Sequence, residues 1–250
     1  TVMEVTAAYS IFPNGGMYSS PRLYTRVLRN DDTVLLERNV NPTYAVSGDT
    51  AQVMTKILQN VVTNGTASGI TLDRKVAVAG KTGTTNDDKD RYFVGFTPYY
   101  TAACCFGYDT PKYLGKFRSN PAMIAWEKVM TRVHEKYINA AASGGEPLKK
   151  FDYSRLTQVA VCSDSGLLPS EACSHDLRGS RITYAWFAKS QIPTKTCDTH
   201  MLVEWDSTTG RVATPYCPGS VIMQVALVKT DDRNFVQNIP ITDARYTCRS

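Results

Sequence analysis

The sequence predicts an α/β chain of the α+β type, with helices and strands in separate runs and a small, mostly-β extension at its C-terminal end. Three observations predict it. Val53, Ile57, Leu58, Val61 and Val62 recur at helical spacing. Apolar runs at 75–82, 91–97 and 100–108 are short and bounded by turn residues, which is how strands read. Beyond the small-residue stretch Ala140 to Pro147 the character shifts to brief apolar runs, frequent turns and scattered cysteines.

Taken in order, Val2, Val5, Ala8, Ile11 and Phe12 form a helical stripe that Asn14-Gly15-Gly16 stops. Residues 21–29 and 33–38 flank Asn30-Asp31-Asp32 and read as a hairpin. Asp49 is a plausible N-cap for a helix over 50–63, which Asn64-Gly65 ends. The three strands follow, the last two joined by a turn containing Pro98. Pro121 then opens a long helix to about residue 137, with Met123, Trp126, Met130 and Val133 on one face. In the extension, 157–163, 200–205 and 221–228 read as strands. The expected organisation is residues 1–139 as one domain, 140–152 as a linker and 153–250 as the extension.

At 250 residues, the chain can bury a sizeable core. Its 42% hydrophobic and 20% charged residues exclude disorder as the default. A net charge of +5 gives only a mild bias towards anionic surroundings. No run of five Lys/Arg occurs, which argues against nucleic-acid binding. No stretch nears the roughly 18 apolar residues a membrane span needs.

The most informative stretch is Lys81-Thr82-Gly83-Thr84-Thr85. A cation, hydroxyls and a glycine on one edge strand make a surface able to hold a peptide carboxylate. Thr82 and Thr84 share a face because strand side chains alternate. Gly83 lets a substrate backbone approach and pair with the strand. Lys81 brings a point charge and a route for protons beside a serine nucleophile. K-T-G is one of three motifs of penicillin-binding proteins and serine β-lactamases; the others, S-x-x-K and S-x-N, do not occur here.

The wider passage Gly80 to Pro98, with its Asn86-Asp-Asp-Lys89 turn and Phe93-Val-Gly95-Phe-Thr97-Pro98 strand, resembles the class A (bifunctional) penicillin-binding proteins. Glu4 to Gly16 resembles that family's helix ending in an N-G-G turn, and Asn60 to Ala67 its V-V-x-x-G-T-A segment. The resemblance covers roughly residues 1–138, in family order.

The resemblance implies a serine β-lactamase/transpeptidase-like antiparallel sheet flanked by helices, incomplete at its N-terminal half. It implies serine acyl transfer: a D,D-transpeptidase that cross-links peptidoglycan stem peptides and is acylated by β-lactams. Lys81 would be catalytic, and the Thr84 N–H one oxyanion donor. Thr82, Gly83, Thr84 and Thr85 would bind substrate, with neither cofactor nor metal. A glycosyltransferase domain and a membrane anchor would precede Thr1, placing the parent at the extracytoplasmic face of a bacterial membrane. Without a nucleophile, this chain alone should be inactive. The alternatives are a D,D-carboxypeptidase or β-lactamase-type hydrolase, and a non-catalytic wall-binding module.

Two further groups carry weaker expectations. His134 reads as a solvated helix residue, and Asp87, Asp88 and Asp90 as a polar turn. Of seven cysteines, Cys104 and Cys105 read as small hydrophobes within a strand. Cys162, Cys173, Cys197, Cys217 and Cys248 lie in the extension. Disulfides among Cys162, Cys173, Cys197 and Cys217 are expected, with Cys162 and Cys173 the nearest pair in sequence. Zinc is the weaker choice, through Cys197, His200 and Cys217 or through Cys173 and His175, because no C-x-x-C pair exists.

Overall fold

The computed structural model describes residues 1–228, and Cys248 lies outside them. The chain divides after Leu156 into two compact units. The first begins with α1 (Val2–Ser10), where Thr1 and Glu4 form a capping box. Short strands β1 (Met17–Tyr18), β2 (Arg26–Leu28), β3 (Val34–Glu37) and β4 (Thr43–Tyr44) follow. β2 and β3 make the expected hairpin, with Asp32 at φ 60° in its turn. α2 (Gly48–Thr63) comes next, capped by Ser47 rather than Asp49. Ser47 is extended and its hydroxyl accepts the Thr50 N–H at 3.2 Å; Asp49 lies in the first turn and pairs with Arg155 at 3.4 Å.

The sheet that organises this unit is β5 (Ala79–Thr84), β6 (Asp90–Phe96) and β7 (Thr101–Gly107), antiparallel in that order. Alternation gives it two apolar faces. On one, Phe93 lies 5.0 Å, edge to face, from Trp126 of α3 (Pro121–Ala142). Val62, Ile70, Leu72, Val76, Val78, Met123 and Met130 complete that core. On the other face, Ala79 and Phe96 pack with Leu58 of α2, and Tyr9, Phe12 and Phe151 close over them. Helices therefore cover both faces, as expected. Gly95 makes the α3 contact possible, since a Cβ there would sit 2.8 Å from both Trp126 and Phe93. Cys104 is half-buried against the α3 core and Cys105 is exposed.

Residues 140–152, expected as a linker, hold to this first unit. α3 runs on to Ala142, and Phe151 returns to stack edge-on against Phe96 at 5.6 Å. Asp152 accepts the Gln52 amide at 2.9 Å, and Tyr153 donates to Gln59 at 2.8 Å. Burying two aromatic rings outweighs the flexibility that the small residues suggest.

The second unit is built from β8 (Leu156–Cys162), β9 (Ile182–Ala188), β10 (His200–Asp206), β11 (Arg211–Val212) and β12 (Ile222–Val228). β8 pairs with β9, and β10 lies between β11 and β12 in an antiparallel sheet. β9 was not expected: its Tyr-Ala-Trp-Phe run has no polar alternation. Two small clusters hold the unit, one of Trp205, Val225 and Leu227, the other of Cys162, Cys173 and Cys197 with Leu167.

Candidate functional site

β5 is an edge strand among the described residues, with β6 on one side only. Thr85 donates its N–H to Asp90 O at 3.2 Å, across to β6. Successive peptide groups of a strand point to opposite edges, so the N–H groups of Thr84 and Thr82 point away from β6, to the unpaired edge. The Thr82 and Thr84 side chains share the α3 face, and Lys81 starts from the opposite one. Its side chain nonetheless comes round the edge: Nζ donates to Thr82 O at 2.9 Å. An exposed ammonium and an outward N–H thus lie along one open edge, with the Thr82 and Thr84 side chains beside it on one face of the strand.

Thr66 joins them, its hydroxyl 3.0 Å from that of Thr82. From sequence, Gly65-Thr66-Ala67 reads by the resemblance as closing over the site region, and nearly as well as a plain helix-ending loop. The buried Ala67 anchors that loop in the core beside β5, which is what presents Thr66 to the strand. Gly83 has a reason internal to the sheet: a Cβ there would lie 3.0 Å from Tyr92 Cβ. The Thr85 hydroxyl, at the end of the strand, accepts the Asp90 N–H at 2.8 Å and closes the β5–β6 turn. In that turn Asp87 and Asp88 have positive φ, Lys89 pairs with Asp87 at 3.3 Å, and Arg91 with Asp88 at 2.6 Å. The carboxylates are spent on the turn, as a polar loop requires.

His134 is not a solvated helix residue. It is fully buried under the sheet, where burial holds its pKa below the usual histidine value. Nδ1 donates to Met130 O at 2.6 Å, which leaves Nε2 to accept from the Thr97 hydroxyl at 2.9 Å. Tyr99 and Tyr100 stand edge-on to its ring. It organises the β6–β7 turn and is a packing residue.

Three cysteines of the second unit, expected from sequence to form disulfides, gather instead around a histidine. Cys162, Cys173 and Cys197 are buried free thiols. Their sulfurs lie 3.5, 3.6 and 3.4 Å from one atom, Nδ1 of His200. The zinc sets considered from sequence are also not those the fold assembles. Cys217 belongs to a different turn, its sulfur accepting the Thr214 N–H at 3.2 Å, and His175 Nδ1 faces Ser174 and Glu171 O. Nε2 of His200 faces Asp164 Oδ2 at 3.1 Å and Asp176 Oδ2 at 3.2 Å. Arg178 and Arg181 bracket those carboxylates at 2.6–2.7 Å. The Arg181 hydrogen bond, helped by Arg178 and opposed by burial, holds Asp164 at about 2. The signal sequence reasoning lacked is distance in space: ten residues separate Cys162 from Cys173, and twenty-three separate Cys173 from Cys197.

Comparison with known proteins places both units. Residues 1–120 match the family model of the penicillin binding protein transpeptidase domain, and residues 153–202 that of the penicillin-binding protein 1A C-terminal domain. Penicillin-binding protein 1A of Clostridium novyi is 32% identical over 241 residues, 96% of this chain and 26% of the relative. That of Clostridium perfringens is 33% identical over 199 residues, 78% of this chain and 23% of the relative. The chain thus spans about a quarter of the length of these curated relatives. The crystal structure of penicillin-binding protein 1A from Haemophilus influenzae superposes with a TM-score of 0.61 at 20% identity, over 79% of this chain and 33% of that one, which shows a shared fold. With the transpeptidase model on the K-T-G sheet and the C-terminal-domain model on the cysteine-bearing unit, the chain belongs to the penicillin-binding proteins.

Proposed function

We propose that this chain is the carboxylate-anchoring side of a serine-type D,D-transpeptidase that cross-links peptidoglycan. One observation carries the reading: the Lys81 ammonium and the outward Thr84 N–H lie along the unpaired edge of β5, with the Thr82 and Thr84 side chains beside them on one face of the strand. A stem peptide ending in D-Ala-D-Ala lays its terminal carboxylate on Thr82 and Thr84, beside the Lys81 charge. That places its penultimate carbonyl oxygen at the Thr84 N–H, which accepts the developing oxyanion. A serine hydroxyl attacks the carbonyl carbon, the C–N bond to the terminal D-alanine breaks, and the released amine carries the serine proton away. The amine of a second stem then attacks the ester, forming the cross-link and returning the proton to the serine. β-Lactams bear a carboxylate at a matching position and acylate the same serine.

Within these 250 residues no Ser-x-x-Lys or Ser-x-Asn occurs, so the nucleophile and its base belong to another part of the parent protein. In this reading residues 1–139 complete the transpeptidase domain and 153–250 form an appended module. A glycosyltransferase domain and a membrane anchor lie upstream, at the extracytoplasmic face of the membrane. Fluorescent penicillin labelling of the full-length protein tests the reading. Lys81→Ala is expected to slow acylation about 10²–10⁴-fold, the size of a lost proton-transfer group. Lys81 is exposed, so the melting temperature should hold. Unchanged labelling, or a melt lowered by many degrees, would overturn it.

A further inference from the structure

The second unit contains a donor set that the transpeptidase chemistry does not use. We propose that Cys162, Cys173, Cys197 and Nδ1 of His200 bind a structural zinc ion. The four ligand atoms lie within 4.8 Å of one another. Zinc–sulfur bonds of about 2.3 Å and zinc–nitrogen bonds of about 2.05 Å at tetrahedral angles set S···N near 3.6 Å and S···S near 3.8 Å. The observed S···N distances are 3.4, 3.5 and 3.6 Å.

Hydrogen bonding within the cluster cannot explain the arrangement. A neutral imidazole has one acceptor nitrogen, so only one thiol of the three can satisfy Nδ1. The Ser170 hydroxyl lies 3.4 Å from the Cys173 sulfur, yet that contact does not account for three sulfurs gathered on one nitrogen. All four residues are at most 5% exposed, so water does not compensate. A dication satisfies every group at once. Each cysteine forms a Zn–S bond and releases its proton to solvent, and Nδ1 gives its lone pair to the metal.

The surroundings fit such an ion. With Nδ1 on the metal, the ring proton sits on Nε2, where Asp164 and Asp176 wait at 3.1 and 3.2 Å. Nε2 makes no well-angled hydrogen bond although fully buried, while the carboxylates lie within ion-pair distance. The distances decide here, because a small turn of the ring completes the contact. A carboxylate behind a ligating histidine fixes its tautomer and raises its basicity. Arg178 and Arg181 in turn hold those carboxylates.

Backbone bonds position the thiols from three separate segments. The Cys162 N–H donates to Leu167 O at 2.8 Å, the Cys197 N–H to Leu168 O at 2.7 Å, and the Arg181 N–H to Cys173 O at 2.7 Å. Cys162 ends β8, Cys173 sits in a 3-10 turn, and His200 opens β10. With four protein ligands and no open position, the site is structural rather than catalytic. It joins segments that the apolar cluster of Trp205, Val225 and Leu227 does not, the usual role of metal in a small domain.

The test is metal analysis of the whole chain, purified under reducing conditions in chelator-free buffer. We expect one zinc per chain, and after exchange a cobalt spectrum with a thiolate charge-transfer band and tetrahedral d–d bands. Cys173→Ser and His200→Gln should lose the metal, while Cys217→Ser and Cys105→Ser keep it. Should the first two variants fail to fold, the wild type still decides. Its Cys162, Cys173 and Cys197 thiols should resist alkylation until a zinc chelator is added, then react together. A metal-free chain that takes up no cobalt, a Cys162–Cys173 disulfide in its place, or thiols equally reactive with and without chelator would overturn the proposal.

Discussion

The two units solve the same problem with different materials. The first sandwiches a three-stranded sheet between α3 on one face and α1 and α2 on the other, with Trp126, Phe93, Phe96 and Met130 almost wholly buried. The second has two short clusters, one of them made of thiols around a histidine and backed by three Asp–Arg pairs. Apolar area is additive and forgiving, whereas a polar or metal-linked centre works only when every member is present. The first unit should therefore lose stability in steps as side chains are trimmed, and the second should fail at once.

Trimming the larger core gives the largest effect. Trp126 is 1% exposed, meets Phe93 edge to face and donates its ring N–H to Ala102 O at 3.0 Å. Trp126→Ala should cost about 3–5 kcal/mol in the first unit by denaturant unfolding. A loss below about 1 kcal/mol would mean the sandwich does not depend on α3. Thr84→Val asks about function in the same sheet. Losing a hydrogen bond to a charged group, about 1.5–3 kcal/mol, should lower the acylation efficiency of the full-length protein about 10–100-fold, with the melt unchanged. Equal rates for substrates with and without a terminal carboxylate in the wild type would remove that role from the strand. Gly95→Ala forces a methyl against Trp126 and Phe93 and should cost about 1–3 kcal/mol by overpacking. A neutral result would show that α3 shifts freely.

The smallest effect is on pH. Burial lowers the His134 pKa, so the folded state takes up its proton later than the unfolded chain as pH falls. Stability from His134 is then complete above the unfolded value of about 6.5 and declines below it. His134→Gln should flatten the wild-type fall in melting temperature between pH 7.5 and 5.5. Parallel slopes would contradict the burial.

What the sequence made legible follows the same division. α2 and α3 were readable because one wide apolar stripe per helix is what a two-faced sandwich demands, and Lys81 to Thr84 because a charge and hydroxyls on an edge strand have little structural use. Ser47 was missed as a cap because the helix starts at Gly48, two residues before the expected start, which puts the competing Asp49 inside its first turn, and boundaries are set by backbone geometry. His134 looked polar and exposed beside Glu135 and Lys136, yet the helical phase from Met130 turns it inward. The thiol site was illegible for another reason. Its ligands come from three segments brought together by backbone bonds such as Cys197 to Leu168, and no local spacing records that.

The claim that the two units are held by different physics is tested most directly by amide hydrogen exchange of the whole chain, before and after zinc chelation. Protection should collapse in β8, β9, β10 and β12 and stay unchanged in β5, β6 and β7. Unaltered exchange throughout, or loss in both units together, would contradict it.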